Sequence, residues 1–372
     1  MSRYKLEEFI SYEQPAKYIV DSDQYDDSYE IPVLTAGKSF ILGYTDEKNN
    51  LFDDLPVIIF DDFTTSVQFV DFPFKVKSSA MKLLKNTEQA DIKYCYYLLK
   101  FLQHTPENHK RQWLSATSQN TVELPTIEEQ KNIVKKLDKI LEVIDNQNKQ
   151  LELLDEAIKA RFVEMFGDPM INPYEWKVIN ISEVLRAKAS NGFFSRRDDY
   201  CDDGNVKVLG VANVVNRMYS QVVDLPRTNA NERDIEKFEV KYGDMLFCRS
   251  SLVAEGIGKA SIIPEGVQTN ILFECHVIRL PLDLDKCVPE FLQTLSTTKF
   301  FRNQIISKSK TATMTTIGQD GILKTNIILP PLEKQKEYYN FVKQIDKSRS
   351  RIQKSLEASQ ELFDSLMQEY FG

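Results

Sequence analysis

Six cations are the side chains most suggestive of chemistry in this chain: Lys38 in an Ala-Gly-Lys-Ser turn, Arg196 and Arg197 after Gly192-Phe-Phe, Arg249 before Ser250-Ser251, and Lys308 and Lys310. They lie in turn-like or glycine-rich segments that also carry aromatics or amides, the setting in which proteins contact nucleic acid. Arginine can grip guanine O6 and N7 with two parallel bonds, whereas lysine more often serves a phosphate. The plain alternative for each is a surface cation.

Catalytic chemistry finds little support. An amino-methyltransferase needs an Asn/Asp-Pro-Pro-aromatic loop, and the only Pro-Pro is Pro330-Pro331, outside any such context. Ala36-Gly-Lys-Ser39 imitates the end of a phosphate-binding loop, yet Pro32 stands where that loop has its first glycine. Asp61-Asp62 and Asp198-Asp199 suggest a metal-dependent nuclease only weakly, and solvated loop carboxylates are the expectation. Cysteines at 95, 201, 248, 275 and 287 form no Cys-x-x-Cys pair, and there are only three histidines. Buried or incidental thiols follow, rather than a disulfide framework or zinc site. The expectation is therefore no catalytic residue, no bound cofactor and no metal.

The charge balance works against a nucleic-acid partner. The net charge is −8, and residues 1–123 hold 13 Lys+Arg against 19 Asp+Glu, while residues 168–328 hold 20 of each. Phosphate binding needs cations, so DNA contact would use local patches and help from a basic partner. The start lacks the apolar core of a signal peptide, and no apolar run approaches the ~20 residues of a membrane span. A cytoplasmic protein with no membrane partner is expected.

The elements that must position these side chains come from a repeat. Leu124-Pro-Thr-Ile-Glu-Glu-Gln-Lys131 returns as Leu329-Pro-Pro-Leu-Glu-Lys-Gln-Lys336, an offset of 205 residues that holds to Glu164-Met-Phe-Gly167 and Glu369-Tyr-Phe-Gly372. Each copy starts at proline and reads as one long helix of heptad character, with polar breaks at Gln147, Arg349 and Ser359. At ~1.5 Å per residue, ~39 residues give about 58 Å. Such a helix cannot cover its own apolar stripe, so the two copies are expected to pair with each other; a coiled coil between separate chains is the alternative. Ile179-Asn-Ile-Ser-Glu-Val-Leu185 resembles Tyr4-Lys-Leu-Glu-Glu-Phe-Ile10, so a second globular segment opens like the first. The division is 1–123, 124–167, 168–328 and 329–372. Runs 31–44, 56–60, 67–76, 206–215, 244–249 and 271–280 read as β-rich, and 91–103 and 289–306 as helices.

The Leu-Pro-x-x-Glu-x-Gln motif, the long heptad helix and the Phe-Gly close resemble the conserved regions of type I restriction-modification specificity subunits. Gly243-Asp-Met-Leu-Phe-Cys-Arg249 and Ala312-Thr-Met-Thr-Thr-Ile-Gly318 look like stretches of their target recognition domains, as do Thr35–Tyr44 and Ile59–Thr65. The resemblance implies an α+β protein: two mixed α/β target recognition domains separated by two long antiparallel coiled-coil helices. It implies a non-catalytic subunit that reads a bipartite, asymmetric double-stranded DNA target. The paired helices would fix the gap and dock two copies of a methyltransferase subunit, and through them restriction and translocase subunits, these partners using S-adenosylmethionine, ATP and Mg. The acidic balance leaves a second reading open, a non-enzymatic scaffold whose two domains bind protein.

Overall fold

The structure is a computed structural model that describes residues 3–37, 39–106 and 110–372, with Arg197 described by its backbone alone. The chain forms two compact units, Met1–Lys149 with Gln353–Gly372, and Gln150–Ile352.

In the first unit, the strand Arg3–Lys5 pairs antiparallel with Thr121–Glu123, so the two ends of the globular domain meet. Between them lie two sheets. One is antiparallel, in the order Ile10–Glu13, Met81–Asn86, Val57–Asp61, Val67–Val70. The other has the order Ile41–Thr45, Ile31–Leu34, Lys75–Val76, and its last pair is parallel. Val57–Asp61 is buried at every position, which explains its unbroken apolar run: both faces of the strand are covered. The helix Ile92–Phe101 buries Tyr94, Cys95 and Leu98 in one cluster with Ile58, Phe60 and Leu84. Asp91 caps it, accepting from the Lys93 and Tyr94 N–H groups.

The second unit repeats this plan strand for strand. Lys177–Asn180 pairs with Asn326–Leu329 at the domain's ends. The antiparallel sheet runs Ser190–Asn191, Val277–Pro281, Asp244–Cys248, Ala260–Ile262, and the mixed one Arg227–Thr228, Val206–Leu209, Ile271–Phe273. Val206–Leu209 and Ile271–Phe273 are the parallel pair, as their counterparts are in the first unit. A further small sheet, Ser250–Ser251, Thr315–Thr316, Lys310–Thr311, belongs to this unit. The resemblance between the two domain openings holds in detail: the Lys5 N–H donates to Glu8 at 2.6 Å, and the Asn180 N–H donates to Glu183 at 3.0 Å.

The helices Ile127–Phe166 and Leu332–Phe371 have 40 residues each, or about 60 Å. Within the first unit, Leu137 and Ile144 share a buried cluster with Phe363 and Met367. The Lys136 ammonium donates to the Tyr370 hydroxyl and the Gln147 amide to Ser355 Oγ, so the paired stretches run antiparallel. Within the second unit, Phe162 and Phe166 pack on Tyr338 and Phe291, and Arg349 pairs with Asp155 at 2.5 Å. The polar breaks at Gln147 and Arg349 thus have partners across the helix pair. Each helix contributes one part to each unit: Ile127–Lys149 and Gln353–Phe371 to the first, Gln150–Phe166 and Leu332–Ile352 to the second.

The repeated glutamine of the Leu-Pro-x-x-Glu-x-Gln motif does the same work twice. Gln130 is fully buried; its Oε1 accepts from the Asp91 N–H at 2.7 Å, and its amide donates to the Pro125 and Gln89 carbonyls. Gln335 is also fully buried; its Oε1 accepts from the Val288 N–H at 2.9 Å, and its amide donates to the Pro330 carbonyl. Asp91 and Val288 each precede a domain helix, Ile92–Phe101 and Pro289–Thr297. The motif therefore ties the first turn of each long helix to the start of a domain helix, satisfying donors that a helix N-terminus leaves free.

Several local expectations change. The run 206–215 is a strand only to Leu209, because Gly210 opens a 3-10 turn over Val211–Asn213. The stretch 289–306 is two helices, Pro289–Thr297 and Lys299–Lys308: the Thr298 hydroxyl donates to the Leu295 carbonyl, and Thr298 caps the second helix at the Phe301 N–H. Asp61 and Asp62 are not solvated. Asp62 is 1% exposed and 3.3 Å from the buried Lys82 ammonium, while Asp61 accepts from the Phe63 and Thr64 N–H groups. Cys95, Cys248 and Cys287 are buried, Cys201 and Cys275 partly so, and all five are free thiols.

Candidate nucleic-acid interface

The parallel pairs set where the loops gather. In the second unit, the chain leaves Val206–Leu209 and Ile271–Phe273 at the same end, and Asp244–Cys248 finishes beside the start of Val277–Pro281. Gly210, Arg249 and Glu274–His276 therefore converge on one edge. A linked set of contacts crosses that edge. The Phe193 N–H donates to the Phe273 carbonyl at 2.7 Å, the Arg249 N–H to the His276 carbonyl at 2.9 Å, and the Ile317 N–H to the Arg249 carbonyl at 3.0 Å. The small sheet extends it, with Ser250–Ser251 on Thr315–Thr316 and that strand on Lys310–Thr311.

This edge carries two of the six candidate cations, Arg249 and Lys310, while the loop bearing Arg196 leaves it after Phe193 and runs against Thr228. Arg196 is exposed on the loop after Phe194, its N–H donating to Asp199 Oδ2 at 2.7 Å. Arg249 is half-buried, with one guanidinium nitrogen 3.4 Å from the Cys275 carbonyl. Lys310 is exposed on the outer strand of the small sheet. The backbone of Arg197 begins the 3-10 turn Arg197–Asp199; its side chain lies outside the described residues, as does all of Lys38. Lys308 is turned inward: its ammonium donates to the Lys324 carbonyl at 2.7 Å and approaches Thr325 Oγ1, and burial lowers its basicity. That ammonium ties a helix end to the following loop, so Lys308 does not share the outward-facing position of Lys310.

The reading by residue type missed the hydroxyls and the imidazole of the same edge. Ser250, Thr311 and Thr316 stand on the small sheet, and the exposed His276 has Nδ1 3.4 Å from Ser250 Oγ. A Thr-rich stretch after Lys310 was the available signal, but its hairpin pairing is non-local to Ser250 and left no trace in spacing. Conversely, Gly243-Asp244 is structural. Gly243 has φ of +84°, and Asp244, 1% exposed, pairs with Arg186 at 2.6 Å and accepts from the Lys241 N–H. Burial nonetheless holds the Asp244 carboxyl above its ordinary range.

The first unit gathers the matching loops: Thr35–Gly37 with Ser39–Phe40, Asp62–Ser66 and Lys77–Ala80. The residues flanking Lys38 form a hairpin turn, with the Thr35 N–H donating to the Phe40 carbonyl and the Gly37 N–H to Thr35 Oγ1. A strand follows, not a helix, so this segment lacks the helix N-terminus of a phosphate loop. The Asp62 carbonyl accepts from the Gln112 N–H and its carboxylate from the Trp113 N–H, which consumes the aspartate in packing. Among the described residues, no group of three His, Cys, Asp or Glu could hold a metal ion.

A second polar cluster lies inside the second unit. Glu290, 1% exposed, receives the Tyr219 hydroxyl at 3.3 Å, and its other oxygen has no partner among the described residues. Burial pushes the Glu290 carboxyl up to about 7 and also raises Asp346 nearby. Glu290 lies in the first turn of the helix Pro289–Thr297, with its side chain turned into the protein.

Comparison with known proteins supplies the context for this edge. The family model for the type I restriction modification DNA specificity domain matches residues 173–360. The specificity subunit of the Escherichia coli type I restriction enzyme EcoR124I/EcoR124II is 50% identical over 126 residues, which is 32% of this chain and 31% of that protein. The MjaVIII specificity subunit of Methanocaldococcus jannaschii is 24% identical over 299 residues, covering 73% of this chain and 67% of that one. The EcoKI specificity subunit of Escherichia coli is 24% identical over 252 residues, with 63% and 52% covered. The matches thus span from about a third to two thirds of these relatives. The fold is shared with the S subunit of the type I restriction-modification system from M. genitalium, at a TM-score of 0.61 and 12% identity over 100% of this chain and 96% of that one. A chain from a study of complex assembly and conformational transition in the type I R-M system matches at 0.52 and 14% identity, with 99% of both chains covered.

Proposed function

This chain belongs to the family of type I restriction-modification DNA specificity proteins, and from that premise we propose that it is the sequence-reading subunit of such an enzyme, one domain for each half of a bipartite, asymmetric target. The observation that carries this reading is the repeated frame: two domains of one strand order, diverged in sequence, each tied to a long helix by the same buried glutamine. A constant frame with two variable surfaces is what independent reading of two half-sites requires. The long helices would dock two copies of a methyltransferase subunit, and through them restriction and translocase subunits. Methyl transfer and cleavage would belong to those partners, with their S-adenosylmethionine, ATP and Mg, and this chain would catalyse neither.

Domain exchange tests the reading. Residues 168–328 are replaced by the matching segment of a relative, and methylated bases are mapped in cells that also express the cognate methyltransferase. One half of the motif should change and the other persist. If both halves change, the two-module reading fails; if the parent complex binds no duplex DNA, the acidic balance favours a scaffold for protein instead.

A further inference from the structure

The loop that follows Arg249 ends in two apolar side chains held out in solvent. Leu252 is 82% exposed and Val253 59% exposed. The loop that carries them is fastened at both sides. Ser250–Ser251 pairs with Thr315–Thr316. The Gly258 N–H donates to the Cys248 carbonyl at 2.8 Å, and the Arg302 guanidinium donates to the carbonyls of Glu255 and Ile257. Gly256 returns so close to Ser251 that an added Cβ would stand 2.2 Å from its hydroxyl oxygen. The tip is therefore a braced projection, and its apolar end is largely exposed among the described residues. The corresponding connection of the first unit, Asp62–Ser66, is instead a short turn tied down by Asp61 and Asp62.

The surroundings of the tip suit the edge of a base pair. Residues 249–259 carry two cations, Arg249 and Lys259, against one carboxylate, Glu255. Lys310 and the hydroxyls of Ser250 and Thr316 stand on the adjoining sheet. In the major groove only thymine offers an apolar group, its 5-methyl, beside hydrogen-bonding edges. We propose that Leu252 and Val253 are specificity-determining residues that contact a thymine methyl group in the half-site read by the second domain. The proposal rests on the DNA-reading function proposed above and adds to it an apolar contact that the cations alone would not supply.

The test uses the full chain assembled with its methyltransferase partner and duplexes of the mapped target in which each thymine is replaced, one at a time, by uracil, which lacks the methyl. The parent complex should lose about fourfold in affinity at one position of the second domain's half-site, the worth of one methyl at ~0.8 kcal/mol. A Leu252→Ala/Val253→Ala double variant should bind thymine and uracil duplexes alike at that position, with an unchanged thermal midpoint because both side chains are exposed. The proposal is overturned if the parent tolerates uracil everywhere, or if the double variant still discriminates. Failure of the parent complex to bind any target duplex would instead remove the DNA-reading function itself, and this proposal with it.

Discussion

At the scale of single residues, burial decides what a side chain can do. Lys308 and Lys310 are two positions apart in sequence, yet one ammonium is used up on a backbone carbonyl and the other faces solvent. Glu290 shows the same principle as a pH effect. Its carboxyl titrates near 7 in the folded chain, well above an ordinary glutamate. A raised folded-state value means that the stabilising contribution is complete below about 4.5 and is lost as pH rises through about 7. Glu290→Gln should therefore flatten the decline of the thermal midpoint between pH 5 and 8.5 and stabilise the chain at pH 8, by up to ~3 kcal/mol. A variant with the parent's pH slope would show that another group carries the titration. Neither the inward turn of Lys308 nor the burial of Glu290 was legible in the sequence. Both depend on chain that returns from distant positions, and residue type and local spacing carry no record of that.

At the scale of elements, the long helices were legible because their signal is local: a period of three and four residues sustained over ten turns, stated twice. Their pairing followed from the exposed stripe that each would otherwise leave. The strand order was not legible. Many strands are only two to five residues long, the two domains share little sequence beyond their openings, and the ladders join segments far apart in the chain. Thr298 shows the limit for helices too, since the apolar spacing continues through the break that its hydroxyl makes. The motif glutamines were visible as a repeat, while their task was not. Gln335→Ala should leave the buried Val288 N–H and Pro330 carbonyl without their partner, at a cost of about 1–3 kcal/mol. Gln130→Ala should cost a similar amount through Asp91. Urea unfolding of each variant measures this, and a loss below about 0.5 kcal/mol in both would mean that the side chains only fill space.

At the scale of the whole molecule, if the long helices dock methyltransferase subunits as proposed, the duplication gives two related docking surfaces, one for each helix copy. The chain should therefore saturate with two copies of a single methyltransferase subunit, and native mass spectrometry of the assembled complex gives the count directly. A complex that stops at one copy would mean that divergence has erased one of the surfaces.

The division of the chain between its units also has a consequence in time. The second unit is one continuous stretch, Gln150–Ile352, whereas the first needs Gln353–Gly372 to complete it. During synthesis the first globular domain can close its ladder at Thr121–Glu123 and begin its helix, but Leu137 and Ile144 must wait for Phe363 and Met367. At ~5–20 residues per second, the intervening segment takes about 10–40 s to emerge. For that interval the newborn chain carries an uncovered apolar stripe, open to chaperones and to the same stripe on a neighbouring nascent chain. A ribosome that stops early, anywhere after residue 352, would therefore leave the defect in the half of the protein it finished first.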